Sequence, residues 1–148
     1  MKSIFDRPTR DELISRINNL NENSTAQWGS MNIYQMLKHC VIAEEMYLGK
    51  TQHPRMFLGR LLGPSTLKKM LKDETPMSRN APTAAAFKVT ETNGNVAAEK
   101  KRWIELTEEY ANYPESYLVH WFFGRMTPEQ VGQFVYKHTD HHLRQFGA

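Results

Sequence analysis

The sequence predicts an all-α protein, a four-helix bundle with a long irregular loop between the second and third main helices. Apolar residues recur at spacings of three and four along several segments, and helix-capping patterns precede two of them. No segment shows a convincing alternation of apolar and polar residues that would indicate strands. The chain has 148 residues, 40% of them hydrophobic and 24% charged, so residues 1–148 are expected to form a single domain.

The first two helices are predicted on either side of an Asn- and Ser-rich stretch, residues 21–25. The first begins with a capping-box pattern at Thr9 and carries an apolar stripe. The second begins around residues 30–32 and ends near Leu48, because Gly49 is a typical helix stop. Its apolar stripe consists of Ile33, Met36, Leu37, Cys40, Ala43 and Tyr47.

The middle of the chain is predicted to be less regular. Pro54 opens an apolar segment that Gly63 and Pro64 break or kink, so we expect either two short helices or one bent helix. Residues 72–96 contain two prolines and show no sustained periodicity. They are predicted to form a long surface loop with a short helix near residues 84–87.

The last two main helices are predicted from their amphipathic patterns. The first of them runs from about Val96 to Tyr113 and separates its aromatic residues from its charged ones. An aromatic and apolar connector, residues 117–124, leads to the final helix, which Thr127 caps and Pro128 opens at the first helical position.

The final helix carries histidines on a face that is otherwise apolar. His138 and His142 are four residues apart, and at about 100° per residue their directions differ by roughly 40°. Phe134, His141 and Gln145 belong to the same arc. Because an unpaired polar group in a protein interior costs free energy, two buried imidazoles need a binding partner. The pattern therefore indicates a divalent-metal site.

His39 is the third candidate ligand, since it lies beside the apolar stripe of the second helix and is expected to face the interior. Neutral imidazoles suit zinc or nickel, and iron as well. The competing interpretation is that each histidine is an ordinary buried residue, because the pair lacks an HExxH-type glutamate. Cys40 is interpreted as a small buried hydrophobe that points away from the site, and Asp140 as a solvated residue.

Three motifs surround these histidines. Residues 28–39 begin Trp-Gly-Ser-Met-Asn and end Met-Leu-Lys-His, residues 122–128 read Phe-Phe-Gly-Arg-Met-Thr-Pro, and residues 138–145 read His-Thr-Asp-His-His-Leu-Arg-Gln. With these motifs the chain resembles, over nearly its whole length, the DinB/YfiT-like superfamily of metal-binding four-helix bundles. It is most similar to an uncharacterised branch of that superfamily.

The resemblance implies a bundle of DinB/YfiT-like topology in which His39, His138 and His142 ligate the metal, with His141 and Gln145 beside it. In characterised relatives it also implies metal-dependent transfer or isomerisation reactions that use a low-molecular-weight thiol. It does not imply contact with DNA.

The function expected from the site is that of a metal-dependent enzyme acting on a small-molecule substrate, either a thiol-dependent transferase or a hydrolase. His141 and His120 are the candidate catalytic residues, as proton carriers. Trp28, Trp121 and Phe123 are the candidates for the substrate pocket. The alternative is a non-catalytic bundle that binds metal or forms a homodimer through its outer helix faces.

Charge and composition argue against several other classes. The net charge is +3, but basic residues are interleaved with acidic ones, so no nucleic-acid partner is expected. No apolar run approaches the roughly 18 residues of a membrane span, and residues 1–10 contain no stretch like a signal peptide. The single cysteine, Cys40, fits a reducing compartment. We therefore expect a cytoplasmic protein with no membrane partner.

Overall fold

The computed structural model describes residues 1–114 and 116–148, and in these residues it contains five α-helices and one two-stranded sheet. The helices are α1 (Arg7–Asn19), α2 (Ile33–Tyr47), α3 (Phe57–Met70), α4 (Val96–Glu109) and α5 (Pro128–Gln145). The strands are β1 (Leu118–His120) and β2 (Gly124–Met126), and short 3₁₀ helices occur at Ala85–Phe87 and Tyr110–Asn112. The fold is therefore predominantly helical.

The core lies between α1, α2, α4 and α5. Both α1 and α2 pack against α4 and α5, while α3 belongs to the long connection between α2 and α4. Burial of large apolar side chains, each contributing about 1.5–3 kcal/mol, holds these four helices together. Fully buried side chains from all four meet there, among them Leu13, Ile17, Met36, Leu37, Trp103, Leu106 and Leu143.

The two helices that carry the histidine motifs begin at capping boxes. For α5 the capping box was predicted, whereas for α2 only the starting position was predicted. The Asn32 side chain accepts a hydrogen bond from the Gln35 backbone N–H, and the Gln35 side chain accepts one from the Asn32 N–H. Thr127 and Gln130 repeat this arrangement before α5, with Pro128 in the first turn. Each box satisfies donors that a helix start would otherwise leave unpaired.

The start of α1 differs from the prediction. The helix begins at Arg7, its N-cap residue Asp6 makes no side-chain capping hydrogen bond, and Pro8 lies in the first turn. Thr9 is therefore inside the helix, and its predicted capping box is wrong. The reason is that the fixed φ of proline suits the first helical turn, so the helix includes Pro8 instead of starting after it.

Of the two alternatives predicted for the next segment, the single helix is found. α3 starts at Phe57 and continues through Gly63 and Pro64 to Met70. Gly63 packs directly against the backbone of Phe122, where any side chain would collide. The helix continues through Pro64 even though proline cannot donate a backbone hydrogen bond.

The aromatic connector contains a β-hairpin that was not predicted. Leu118 pairs with Met126 and His120 with Gly124 in an antiparallel register. The prediction of an all-α fold is wrong in this detail, because strands of three residues are too short to show a period-two pattern. The hairpin fixes the position of His120 beside the helical core.

The remaining connections follow the predictions closely. α4 ends at Glu109 and the chain continues as a 3₁₀ turn to Asn112, near the predicted end. Residues 72–95 form a loop with the short 3₁₀ helix Ala85–Phe87, and Phe87 is buried. No helix in residues 1–114 and 116–148 combines the length and the apolarity needed to cross a membrane.

Candidate metal centre

Three histidines from two helices form a cluster in the protein interior. α2 supplies His39, and α5 supplies His138 and His142 from successive turns. One ring nitrogen of each histidine lies within 4.8 Å of a ring nitrogen of both others. The side chains are 7%, 9% and 6% exposed, respectively. The structure thus brings together the three residues that were predicted from the sequence as metal ligands.

The proton on His39 is placed by a backbone carbonyl. Its Nδ1 lies 2.8 Å from the carbonyl oxygen of Phe87. Since a carbonyl can only accept a hydrogen bond, Nδ1 carries the proton and the neutral ring keeps its lone pair on Nε2. Phe87 acts through its main chain, so its residue type gave no sign of this role.

His142 is oriented in the same way by a side chain. Gln145 Nε2 donates to the carbonyl oxygen of Trp28 at 3.0 Å, which turns Gln145 Oε1 toward His142 Nδ1 at 2.9 Å. Nδ1 of His142 is therefore the donor, and Nε2 is left with the lone pair. Fixing the tautomer through the distal nitrogen is how proteins commonly prepare a histidine for metal binding.

The turn after Trp28 accommodates this contact. Gly29 has φ +80°, and a Cβ at this position would lie 2.8 Å from Gln145 Nε2. Only glycine combines that backbone conformation with the space that Gln145 requires. The Trp-Gly pair of the sequence motif thus lies beside the histidine cluster. The sequence alone did not indicate the contact with Gln145.

His138 is the member of the cluster that has no hydrogen-bond partner among the described residues. It makes no hydrogen bond to any other residue that the structure describes, while its ring lies 5.6 Å from that of His39 and 4.7 Å from that of His142. Tyr47 and Phe134 contact its other sides. The ring nitrogens of His138, which also lines the cavity described below, therefore have no partner in residues 1–114 and 116–148 that would compete with an ion.

Burial keeps all three imidazoles neutral. It lowers the pKa of His39 and lowers that of His142 to about 3. Burial and then the neighbouring imidazoles lower the pKa of His138 well below its ordinary value. Neutral histidine is the form that ligates metal, and three nitrogen donors suit zinc, nickel or iron(II). The residues present therefore fit a divalent ion.

The cluster lies in the wall of a cavity of about 500 Å³. This volume is within the range of small-molecule sites. Among the described lining residues there is no Asp, Glu, Lys or Arg, so the cavity is largely apolar apart from its histidines, Tyr47 and two threonines. The apolar walls include Met56, Met70, Met77, Phe87, Trp121, Phe122, Phe123 and Phe134.

Four of the five residues proposed for catalysis or for the substrate pocket also line this cavity. They are His120, His141, Trp121 and Phe123. Trp28 is not among the described lining residues. Its ring packs against His141 at 5.7 Å, and the guanidinium of Arg79 lies 4.2 Å from its ring centroid. Trp28 therefore contributes its carbonyl to the site instead of its ring to the cavity.

The two candidate proton carriers differ in environment. His141 is half-buried, and partial burial lowers its pKa, opposed by a hydrogen bond with the backbone of Met77. His120 is only 3% exposed, and its Nδ1 accepts hydrogen bonds from the backbone N–H groups of Phe122 and Phe123, both at 3.1 Å. Burial, with a smaller effect of the Arg55 charge, lowers the pKa of His120 to about 3.

Two acidic residues on the helices that carry the cluster were not foreseen in these roles. Asp140 is buried and accepts hydrogen bonds from Arg16 at 2.8 Å and Arg144 at 2.6 Å, so the expectation that it is solvated is wrong. Glu44 is 1% exposed and accepts hydrogen bonds from the hydroxyls of Tyr110 and Thr139. Burial raises the pKa of Glu44 to about 7.

Cys40 behaves as predicted from the sequence. Its side chain is buried, and its Sγ lies 3.6 Å from Met36 Sδ within the core. Burial raises its pKa well above the ordinary value, so it remains a neutral thiol.

Comparison with known proteins places the chain in a family. No curated protein and no solved structure matches it. A family model described as "Protein of unknown function (DUF1569)" matches residues 4–148, nearly the whole chain. The chain belongs to the DUF1569 family.

Proposed function

We propose that the protein is a metal-dependent enzyme acting on a small, uncharged and largely apolar molecule. The observation that supports this most strongly is the position of His39, His138 and His142 in the wall of the cavity. The first and last of these have Nδ1 engaged with a carbonyl oxygen, which leaves Nε2 for an ion. A divalent ion, zinc or nickel before iron, would supply a Lewis acid that activates water or a thiol.

The proposal includes a four-helix bundle of DinB/YfiT-like topology. Mutual packing of α1, α2, α4 and α5, with α3 in the long connection, supports this arrangement. It is supported further by where the motif residues lie: Trp28, Gln145 and His142 form one hydrogen-bonded chain beside the cluster.

The cavity favours water over a low-molecular-weight thiol as the activated group. For those thiols that carry a carboxylate, as free cysteine does, transferring the unpaired carboxylate into an apolar cavity costs several kcal/mol. No described lining residue supplies a Lys or Arg to pair with one. The reaction type we propose first is therefore hydrolysis of a neutral substrate, with thiol-dependent transfer second.

His141 is the residue we propose as the proton carrier. It lines the cavity, its ring centroid lies 5.1 Å from that of His142, and it is half-buried. A group in contact with both the cavity and solvent can exchange protons during turnover. We expect His141→Ala to lower turnover while leaving metal content unchanged.

The proposal is tested by activity measurements on untagged protein loaded separately with zinc, nickel or iron(II). Neutral p-nitrophenyl esters of increasing acyl length serve as substrates, with and without an added thiol. We expect metal-dependent hydrolysis that His138→Ala abolishes and that His53→Ala retains, since His53 lies outside the cluster. Rates equal to those of metal-free protein would contradict the proposal, and turnover only with thiol would favour the transferase.

One observation favours a second candidate, a homodimer. The outer face of α3 leaves Phe57, Leu58, Leu61 and Leu62 between 54% and 75% exposed. Contiguous exposed apolar residues commonly mark protein contacts. Light scattering after size exclusion tests this candidate: a dimer that Leu61→Lys converts to a monomer would support it, and a monomeric wild-type protein would contradict it.

A further inference from the structure

His120 occupies a position that neither the metal cluster nor the hairpin explains fully. It is the last residue of β1, it is only 3% exposed, and it lines the cavity. Its ring stacks on Phe123 at 4.5 Å and lies 6.0 Å from the ring of Tyr47, nearly parallel to both. These aromatic neighbours restrict the orientation of the imidazole.

The hairpin turn also fixes the tautomer of this ring. The backbone N–H groups of Phe122 and Phe123 both donate to Nδ1 at 3.1 Å. Two converging donors require a lone pair on Nδ1, so the proton of the neutral ring resides on Nε2. Nε2 makes no hydrogen bond to any residue in the described part of the chain. An N–H without a partner among the described residues therefore borders a cavity that is largely apolar apart from the histidines in its wall.

We propose that His120 donates a hydrogen bond from Nε2 to a neutral oxygen of the ligand, such as the carbonyl oxygen of a ketone, aldehyde or ester. This inference deepens the proposed function, because it names the class of molecule that the cavity takes. Largely apolar walls with an oriented donor at His120 select a molecule that is largely hydrocarbon and carries an uncharged acceptor. A hydrocarbon without that acceptor leaves the N–H unpaired, and the unpaired group is penalised.

The same geometry changes the role expected for His120. A proton carrier needs a nitrogen that can gain and lose a proton, whereas Nδ1 is occupied by two amide donors and Nε2 already holds its proton. His120 thus binds and positions the ligand, and proton transfer is left to other groups.

The test compares two probes of nearly equal shape, acetophenone and ethylbenzene, which differ in one carbonyl oxygen. Binding is measured by titration of the protein followed by tryptophan fluorescence, since Trp121 lines the cavity. His120→Asn is the informative variant: the Asn side-chain oxygen takes the place of Nδ1 and keeps the hairpin capped, while the distal donor is lost. Thermal unfolding confirms that the variant folds.

The preference for acetophenone is the Kd of ethylbenzene divided by the Kd of acetophenone. We expect this ratio to be about two- to tenfold larger in the wild type than in His120→Asn, because one neutral hydrogen bond contributes that much. Equal ratios in the two folded proteins would overturn the proposal. So would a failure of both probes to bind at their solubility limits, because the cavity would then not take an apolar ligand.

Two further measurements separate this proposal from the metal site. Nitrogen-15 spectra of histidine-labelled wild type report the tautomer directly, and we expect an unprotonated Nδ1 and a protonated Nε2 on His120; the reverse would overturn the proposal without any variant. In His138→Ala the preference for acetophenone is expected to persist. A preference lost in His138→Ala but kept in His120→Asn would assign it to the ion and overturn the role of His120.

Discussion

Oε1 of Gln145 lies 2.9 Å from Nδ1 of His142, and the direction of this hydrogen bond is settled by a third group. Because Gln145 Nε2 must donate to the Trp28 carbonyl, its oxygen faces the imidazole and His142 must be protonated on Nδ1. The sequence motif around Trp28 and the motif at the end of the chain are thus joined through one amide. Several consequences of this arrangement can be measured.

Replacing Gln145 removes the acceptor that orients His142. Gln145→Leu is expected to weaken metal binding by about 10- to 100-fold, the usual effect of losing a group that supports a ligand histidine. Competition with a chromophoric chelator measures the affinity. Gln145→Glu keeps an acceptor oxygen for His142 but loses the donor to the Trp28 carbonyl, so its affinity should lie between those of wild type and Gln145→Leu. Equal affinities for wild type and Gln145→Leu would show that the amide does not prepare His142.

Alanine variants of two glycines with similar backbone angles distinguish the effect of backbone strain from that of a steric clash with Gln145. Gly29 and Gly49 have φ +80° and +73°, but only at Gly29 would a Cβ meet Gln145, while nothing lies within 4 Å at Gly49. Both alanine variants are expected to lose about 1–2 kcal/mol of stability from the left-handed conformation, measured by urea unfolding. Only Gly29→Ala is expected to weaken metal binding as well. Weaker binding in both variants, or in neither, would contradict this prediction.

Glu44 makes the stability of the core depend on pH. Its pKa rises from the ordinary 4.5 to about 7 on folding, so its stabilising contribution is complete below pH 4.5 and is lost as pH rises through about 7. The loss corresponds to roughly 3 kcal/mol. In Glu44→Gln this loss is absent. The unfolding free energy of the variant, relative to that of the wild type, should therefore rise by roughly 3 kcal/mol between pH 4.5 and 8.

A second variant checks the cause of this pH dependence. The Tyr110 hydroxyl donates to the Glu44 carboxylate and favours its charged form. Tyr110→Phe should therefore raise the pKa of Glu44 further and move the loss of stability to higher pH. A difference between Glu44→Gln and wild type that is constant with pH would refute the assignment to Glu44.

Asp140 links α5 to α1 on the side away from the metal cluster. Its carboxylate, 9% exposed, pairs with Arg16 and Arg144. Asp140→Asn is expected to cost about 1–3 kcal/mol of stability, because Arg16 loses a partly buried partner. Glu12→Gln, which removes a more exposed partner of Arg16 at 3.9 Å, should cost under about 0.5 kcal/mol. Metal content should not change in either variant; a loss of metal in Asp140→Asn would place this carboxylate in the site.

Much of the fold follows from signals that the sequence carries locally. The capping box at Thr127 and the periodic apolar faces located α2, α4 and α5 to within a few residues, since caps and amphipathic stripes act within one helix. The hairpin of β1 and β2 was missed because its strands are too short to show a period-two pattern, and because β2 packs against α3 and α5, which no local pattern encodes.

The candidate site divides in the same way. His138 and His142 were found because helical spacing alone places them on one face, and His39 because it lies beside an apolar stripe. The carbonyl groups of Phe87 and Trp28 were not found, because a main-chain acceptor is independent of residue type. Burial of Glu44 was also missed: it depends on α4 and α5 closing over α2, a relationship between elements distant in the chain.

The central claim is that His39, His138 and His142 bind one divalent ion. The most direct test is the metal content, by plasma mass spectrometry, of protein purified without a histidine tag and of the His138→Ala/His142→Ala variant. About one ion per wild-type chain is expected, with near-complete loss in the double variant and retention in His53→Ala. Wild-type protein that binds no ion when supplied with zinc, nickel or iron(II), or equal metal content in wild type and the double variant, would contradict the claim.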